Sequence, residues 1–202
     1  MKTHNKPIEL EFRAEVPLSS FKKILAQLEK RGETISQTKR LSVMFLGKVG
    51  AEQFDVRVRI DDGGKAEIVF KRGAFHSHDR REESQNVSKG QIVGLVKGLS
   101  LLGFSSKVTE RHNFDFLFPK RISVTLVRSK NICYVEFEKK TTEESFEQDK
   151  RDVLETMGAF NLEPLTADKF DDLCERLSLH CDWTFHDSEK ELKKIRSLLT
   201  KY

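Results

Sequence analysis

The chain has 202 residues, 34% of them charged, yet 36 Lys and Arg against 32 Asp and Glu leave a formal charge of only +4. That length fits one domain with a real core, and basic residues scattered through separate segments exclude a basic nucleic-acid arm. Three cysteines exclude a disulfide framework, and with no signal-peptide pattern or bilayer-length apolar run the expectation is a reduced, cytoplasmic protein engaging neither nucleic acid nor membrane.

Residues 7–17 alternate, with Ile8, Leu10 and Phe12 on one face and Glu9, Glu11 and Arg13 on the other, which predicts a strand. The spacing of Phe21, Ile24, Leu25 and Leu28 predicts a helix over 18–31, ended by Gly32. Strand-like runs follow at 35–46 and 54–61, the second setting Val56, Val58 and Ile60 opposite Arg57 and Arg59. Asp61-Asp-Gly-Gly is a hairpin signal leading into a strand over 66–72. Residues 73–79, with His76 and His78, read as a loop. A strand at 80–87, a helix at 88–102 stopped by Gly103, and strands at 104–117, 121–128 and 131–140 come next. Beyond Thr141 the pattern is helical over 143–158, 167–178 and 187–200, with Pro164 separating the first two.

Eight strands joined mostly by hairpins imply an antiparallel sheet, and closing it removes the edges. The expected fold is therefore α+β: an eight-stranded antiparallel β-barrel with flanking helices and a helical C-terminal tail. One domain covers 1–202, with the strands within about 7–140 and the tail from about 143 onward.

The polar faces of these strands share a character. They carry Glu9, Glu11 and Arg13; Arg57 and Arg59; Lys71 with Glu67; Arg81 and Glu83; Arg111 with Thr109, Asn113 and Asp115; and Glu136 and Glu138. A half-exposed sheet mixes Thr, Ser, Lys and Gln there, whereas these positions are mostly ionic. In a closed barrel such side chains line a lumen. Six bases (Arg13, Arg57, Arg59, Lys71, Arg81, Arg111) against five acids (Glu9, Glu11, Glu83, Glu136, Glu138) leave it one positive charge. Guanidiniums match phosphate oxygens, and carboxylates tolerate phosphate when a divalent cation lies between them. One or two Mg²⁺ raise the lumen to about +3 to +5, which suits a triphosphate.

In order along the chain, these residues resemble the CYTH family, or triphosphate tunnel metalloenzymes, which includes class IV adenylyl cyclases and thiamine and inorganic triphosphatases. Glu9-Leu-Glu-Phe-Arg13 is similar to its ExExK signature. Arg57 and Arg59 resemble its paired-arginine strand, Lys71 its lysine strand, Arg81-Glu-Glu83 its RxE strand, Arg111 its later basic strand and Glu136-Phe-Glu138 its closing ExE. The resemblance covers about 8–140. It implies a tunnel, a triphosphate-bearing small-molecule substrate and Mg²⁺ or Mn²⁺. On that reading Glu9, Glu11, Glu83, Glu136 and Glu138 hold metal, and Arg13, Arg57, Arg59, Lys71, Arg81 and Arg111 bind the phosphate chain. Glu9, Glu11, Arg13, Glu136 and Glu138 are the catalytic set.

The chain departs from that pattern at three positions. Arg13 stands for the usual lysine, Thr109 where a second base often precedes the position of Arg111, and Thr125 where many members carry Asp, a loss that weakens one metal site or the placement of water.

The expected activity is metal-dependent hydrolysis of an inorganic or organic triphosphate by a monomer or homodimer. A class IV-type cyclase making cyclic AMP from ATP, a non-catalytic polyphosphate- or nucleotide-binding module, and a structural barrel whose charges pair among themselves are the alternatives. Cys174, His180, Cys181 and His186 lack the spacing of a standard zinc site. Leu192, Ile195, Leu198 and Leu199 give the last helix one apolar face, expected to dock on the barrel or a second chain.

Overall fold

The computed structural model describes residues 8–73 and 79–202. Its strands are β1 (Ile8–Val16), β2 (Glu33–Val49), β3 (Glu52–Asp61), β4 (Ala66–Arg72), β5 (Asp79–Val87), β6 (Ser105–Phe118), β7 (Ile122–Ser129), β8 (Ile132–Thr141) and the two-residue β9 (Trp183–Thr184). Its helices are α1 (Phe21–Arg31), α2 (Ile92–Ser100), α3 (Phe146–Gly158), α4 (Ala167–His180) and α5 (Glu189–Leu199). The strands pair in the order β2-β3-β4-β5-β1-β8-β7-β6-β9, and β2 also pairs with β6, so eight of them form a closed antiparallel barrel in an α+β fold, as expected. The ninth, β9, sets Lys107 opposite Thr184 and Val108 opposite Trp183; two residues carry no periodicity from which to read it. Most of the expected loop, including His76 and His78, lies outside the described residues. No helix among the described residues is long and apolar enough to cross a membrane.

Two compact units interleave along the chain. The first takes residues 8–37, 79–81 and 113–175; the second takes 38–73, 82–112 and 176–202.

In the first unit, the period of two in β1 sends Leu10, Phe12, Ala14 and Val16 into a core shared with Ile122, Val124 and Leu126 of β7 and Val135 and Phe137 of β8. Helix α1 covers this core with Phe21, Ile24 and Leu28, and α3 with Val153 and Met157. Gly32 follows α1 in extended backbone (φ −112°) rather than the left-handed conformation usual for a helix-ending glycine. Its role is close approach, because a Cβ there would lie 2.5 Å from Cε2 of the Phe118 ring.

Helix α3 is also held by charge. Lys139 Nζ lies 2.6 Å from Asp149 Oδ1, and Thr141 Oγ1 donates to Asp149 Oδ2 at 2.5 Å. Lys120 Nζ donates to Asp152 at 2.7 Å, as does Gln148 at 2.9 Å. The Lys120 hydrogen bond, aided by Gln148 and Lys139 and opposed by burial, lowers the Asp152 pKa to about 2. A depressed folded-state pKa makes this carboxylate stabilising above its unfolded pKa, near 3.9, and that contribution disappears as pH falls toward 2. Urea unfolding of wild type and Asp152→Asn at pH 6, 4 and 2 checks this: the stability gap between them is expected to be full at pH 6 and to close by pH 2.

The second unit has its own core. Leu41, Val43 and Phe45 of β2, Val56, Val58 and Ile60 of β3, and Ala66 and Ile68 of β4 meet Ile92 and Val96 of α2. The apolar face of α5 docks here through Leu192, Ile195 and Leu199, one of its two expected destinations. Gly47 in β2 admits Phe104: a Cβ would stand 2.1 Å from Cδ1 and 2.5 Å from Cγ of that ring. Cγ moves only if the whole ring changes its χ1 rotamer in a packed core. Gly47→Ala is expected to destabilise the fold by about 1–3 kcal/mol, read as a lower urea midpoint at unchanged m-value.

Candidate functional site

The first unit carries an acidic face. Strands β1 and β8 are antiparallel, with Glu11 directly opposite Glu138, Phe12 opposite Phe137 and Arg13 opposite Glu136. Since side chains alternate, one register sends both phenylalanines to the core and the five ionic residues Glu9, Glu11, Arg13, Glu136 and Glu138 to the other face. There Glu9, Glu11 and Glu138 converge, offering carboxylate oxygens within 4.8 Å of one another. At that distance each pair of full charges repels by about 3 kcal/mol at an effective dielectric near 20. Positive charge near the trio relieves that repulsion.

Arg13 supplies part of that charge. It forms an ion pair with Glu11 and donates from Nε to Glu136 at 3.0 Å. Burial disfavours its charged form, but Glu11 and Glu136 more than offset this and hold its pKa above the ordinary arginine value. The Phe170 ring lies 4.8 Å from its guanidinium carbon, and its backbone carbonyl accepts from Leu165 N at 2.8 Å. The set is therefore ordered by its surroundings as well as by mutual attraction.

Three hard carboxylates fit Mg²⁺ or Mn²⁺. Glu136, expected among the ligands, lies outside this trio, where its register position sets it against Arg13. Thr125 lies opposite Glu136 and donates to Asp115 Oδ1 at 2.8 Å, with Ser36 on the other Asp115 oxygen. A carboxylate thus reaches the hydroxyl of Thr125 from β6.

In β5 the inward row differs by one residue from Arg81 and Glu83. Arg81 and Glu83 are exposed, whereas Arg80 is buried and lies opposite Glu9 on β1, and Glu82 is half-buried. The strand reads DRREESQNV, with one apolar residue, so nothing in it sets the phase.

The second unit holds Arg57, Arg59, Lys71 and Arg111, each with an acid. Arg57 donates to both oxygens of Asp55, from Nε at 3.0 Å and from its Nη2 at 2.5 Å. Arg59 Nε donates to Glu67 at 2.8 Å. Lys71, buried, meets Glu82 at 2.5 Å. Arg111 forks onto Asp182, which lies between α4 and β9. Buried ions need such partners. Asp55, Glu82 and Asp182 are absent from the expected site. Asp55 was legible, as it continues the alternation of Arg57 and Arg59 two residues upstream, whereas Asp182 sits in the tail with no local pattern.

A family model for the CYTH domain matches residues 7–170. The chain belongs to the CYTH domain family. The match passes the expected limit near residue 140 to take in α3 and the start of α4. No curated protein matches the sequence. Solved structures similar to this CYTH domain include a Pyrococcus horikoshii protein, 13% identical over 84% of this chain and 99% of that one, with a TM-score of 0.64. A candidate adenylate cyclase from Vibrio parahaemolyticus is 16% identical over 93% and 98%, with a TM-score of 0.59. A candidate adenylyl cyclase from Hippeastrum, described as having a dominant triphosphatase activity, is 15% identical over 84% and 95%, with a TM-score of 0.53. At these identities the likeness speaks for the fold of this CYTH domain alone.

Proposed function

We propose that the chain hydrolyses a triphosphate, inorganic or carried on a small organic group, in a reaction that depends on Mg²⁺ or Mn²⁺. The observation that carries the reading is the convergence of Glu9, Glu11 and Glu138 beside Arg13. Those three residues would hold the cation, which when bound shields the carboxylates from phosphate oxygens and draws charge from the breaking bond. Arg57, Arg59 and Lys71 exchange their carboxylate partners for phosphate oxygens, the guanidiniums bidentately and the lysine as a point charge, and Arg111 adds a further guanidinium. Glu136, held by Arg13, orients the attacking water. Phosphoryl transfer asks mainly for such positioning and charge.

Phosphate release from tripolyphosphate, thiamine triphosphate and ATP, with Mg²⁺, Mn²⁺ or a chelator, tests the reading. Turnover of at least one, lost with chelator and in Arg59→Ala, is expected. Cyclic AMP from ATP would replace hydrolysis by cyclisation. Tight tripolyphosphate binding with no product would leave a binding module.

A further inference from the structure

We propose that Asp182 is a positioning residue for Arg111, presenting its guanidinium to the phosphate chain; the proposal rests on the phosphate-binding role given to Arg111 above. Asp182 lies beyond the family match, which ends at residue 170, so the role belongs to this chain's own tail.

The geometry is that of a built clamp. The Asp182 side chain is 1% exposed and the Arg111 side chain 12%. Oδ1 accepts from Arg111 Nη1 at 2.7 Å and Oδ2 from Nη2 at 3.0 Å. Both oxygens are thus engaged end-on, which fixes the plane of the guanidinium as well as its position. Lys107 Nζ approaches Oδ2 at 3.5 Å and is itself tethered to Ser178 Oγ at 3.1 Å.

The backbone of Asp182 is pinned on both sides. Its N–H donates to the Leu177 carbonyl at 3.0 Å, and the next residue, Trp183, pairs with Val108 on β6. The strand that carries Arg111 therefore also anchors the carboxylate that aims it. Arg57, by contrast, takes its acid from two positions away on its own strand, whereas Asp182 arrives from 71 residues along the chain. The short β9 has a function on this view: it delivers one carboxylate to one arginine.

A guanidinium already held in plane has little freedom left to lose on binding, so releasing it weakens the complex by on the order of tenfold. Calorimetric titration of the full chain with tripolyphosphate in Mg²⁺ measures this in a double-mutant cycle. Asp182→Asn is expected to raise Kd about tenfold in the wild-type background and not at all in Arg111→Met. Asp182→Glu keeps the charge but displaces the fork, and carries the same cycle should Asp182→Asn unfold.

An equal change in both backgrounds, or an unchanged or tighter Kd in the single variant, would overturn the assignment. Phosphate release recorded on the same samples separates the two readings. Binding with a coupled cycle but no turnover removes hydrolysis and leaves this proposal standing. Turnover with an additive cycle removes this proposal alone, and a wild type that does not bind tripolyphosphate removes both.

Discussion

Glu11→Gln is expected to lower Mg²⁺-dependent phosphate release at least a hundredfold, roughly the scale on which removing one preorganised electrostatic group acts, while leaving the metal-free protein no less stable. Glu11 is the buried member of the carboxylate trio and the one directly opposite Glu138. Glutamine keeps its shape and removes one charge, and with it two of the three repulsions in the cluster. The variant also loses the ion pair with Arg13, which retains Glu136. Melting in chelator should therefore show an unchanged or raised Tm, and the upward shift that Mg²⁺ gives the wild type should vanish. A site held at the expense of stability behaves this way. A Glu11→Gln variant that still turns over at the wild-type rate would remove the trio from the chemistry.

Phe137→Ala is expected to cost about 3–5 kcal/mol of stability. The residue lies between Glu136 and Glu138 in sequence but on the opposite face of β8, fully buried, opposite Phe12 and with its ring 6.3 Å from that of Phe160. Its loss leaves a cavity bounded by a strand on one side and α3 on the other, neither of which collapses easily. Equilibrium urea unfolding should show the loss in the midpoint. Because β8 carries Glu138 and pairs with the strand that carries Glu9 and Glu11, Mg²⁺ response should weaken together with stability here, whereas in Glu11→Gln the two separate.

The fold was readable wherever one face of an element was apolar. Ile8 to Arg13, FDVRVRI and VEFE alternate cleanly, and for that reason Glu9, Glu11, Arg57, Arg59, Glu136 and Glu138 were placed on the polar face from sequence alone. Where alternation fails, so does the reading. In β5 almost every residue is polar, and the choice between Arg80 and Arg81 is made by pairing with β1, a contact across the sheet that no local pattern encodes. The alternation puts Glu136 on the polar face, but its neighbour Arg13 is set by the β1–β8 register, which no local pattern carries. Asp182 was beyond reach because its meaning lies in Arg111, far away in sequence. Asp55 is legible from the same alternation that sets Arg57 and Arg59.

On the proposed reading, the internal counterions of Arg57, Arg59 and Lys71 make recognition a displacement. An arriving anion gains only the difference between its own attraction and that of the carboxylate it dislodges. For a single phosphate this difference is small, because it frees one or two acids into a crowded setting and replaces them with comparable charge. A chain of linked phosphates dislodges several together while losing its translational freedom once. Discrimination by length would therefore follow from pairing alone.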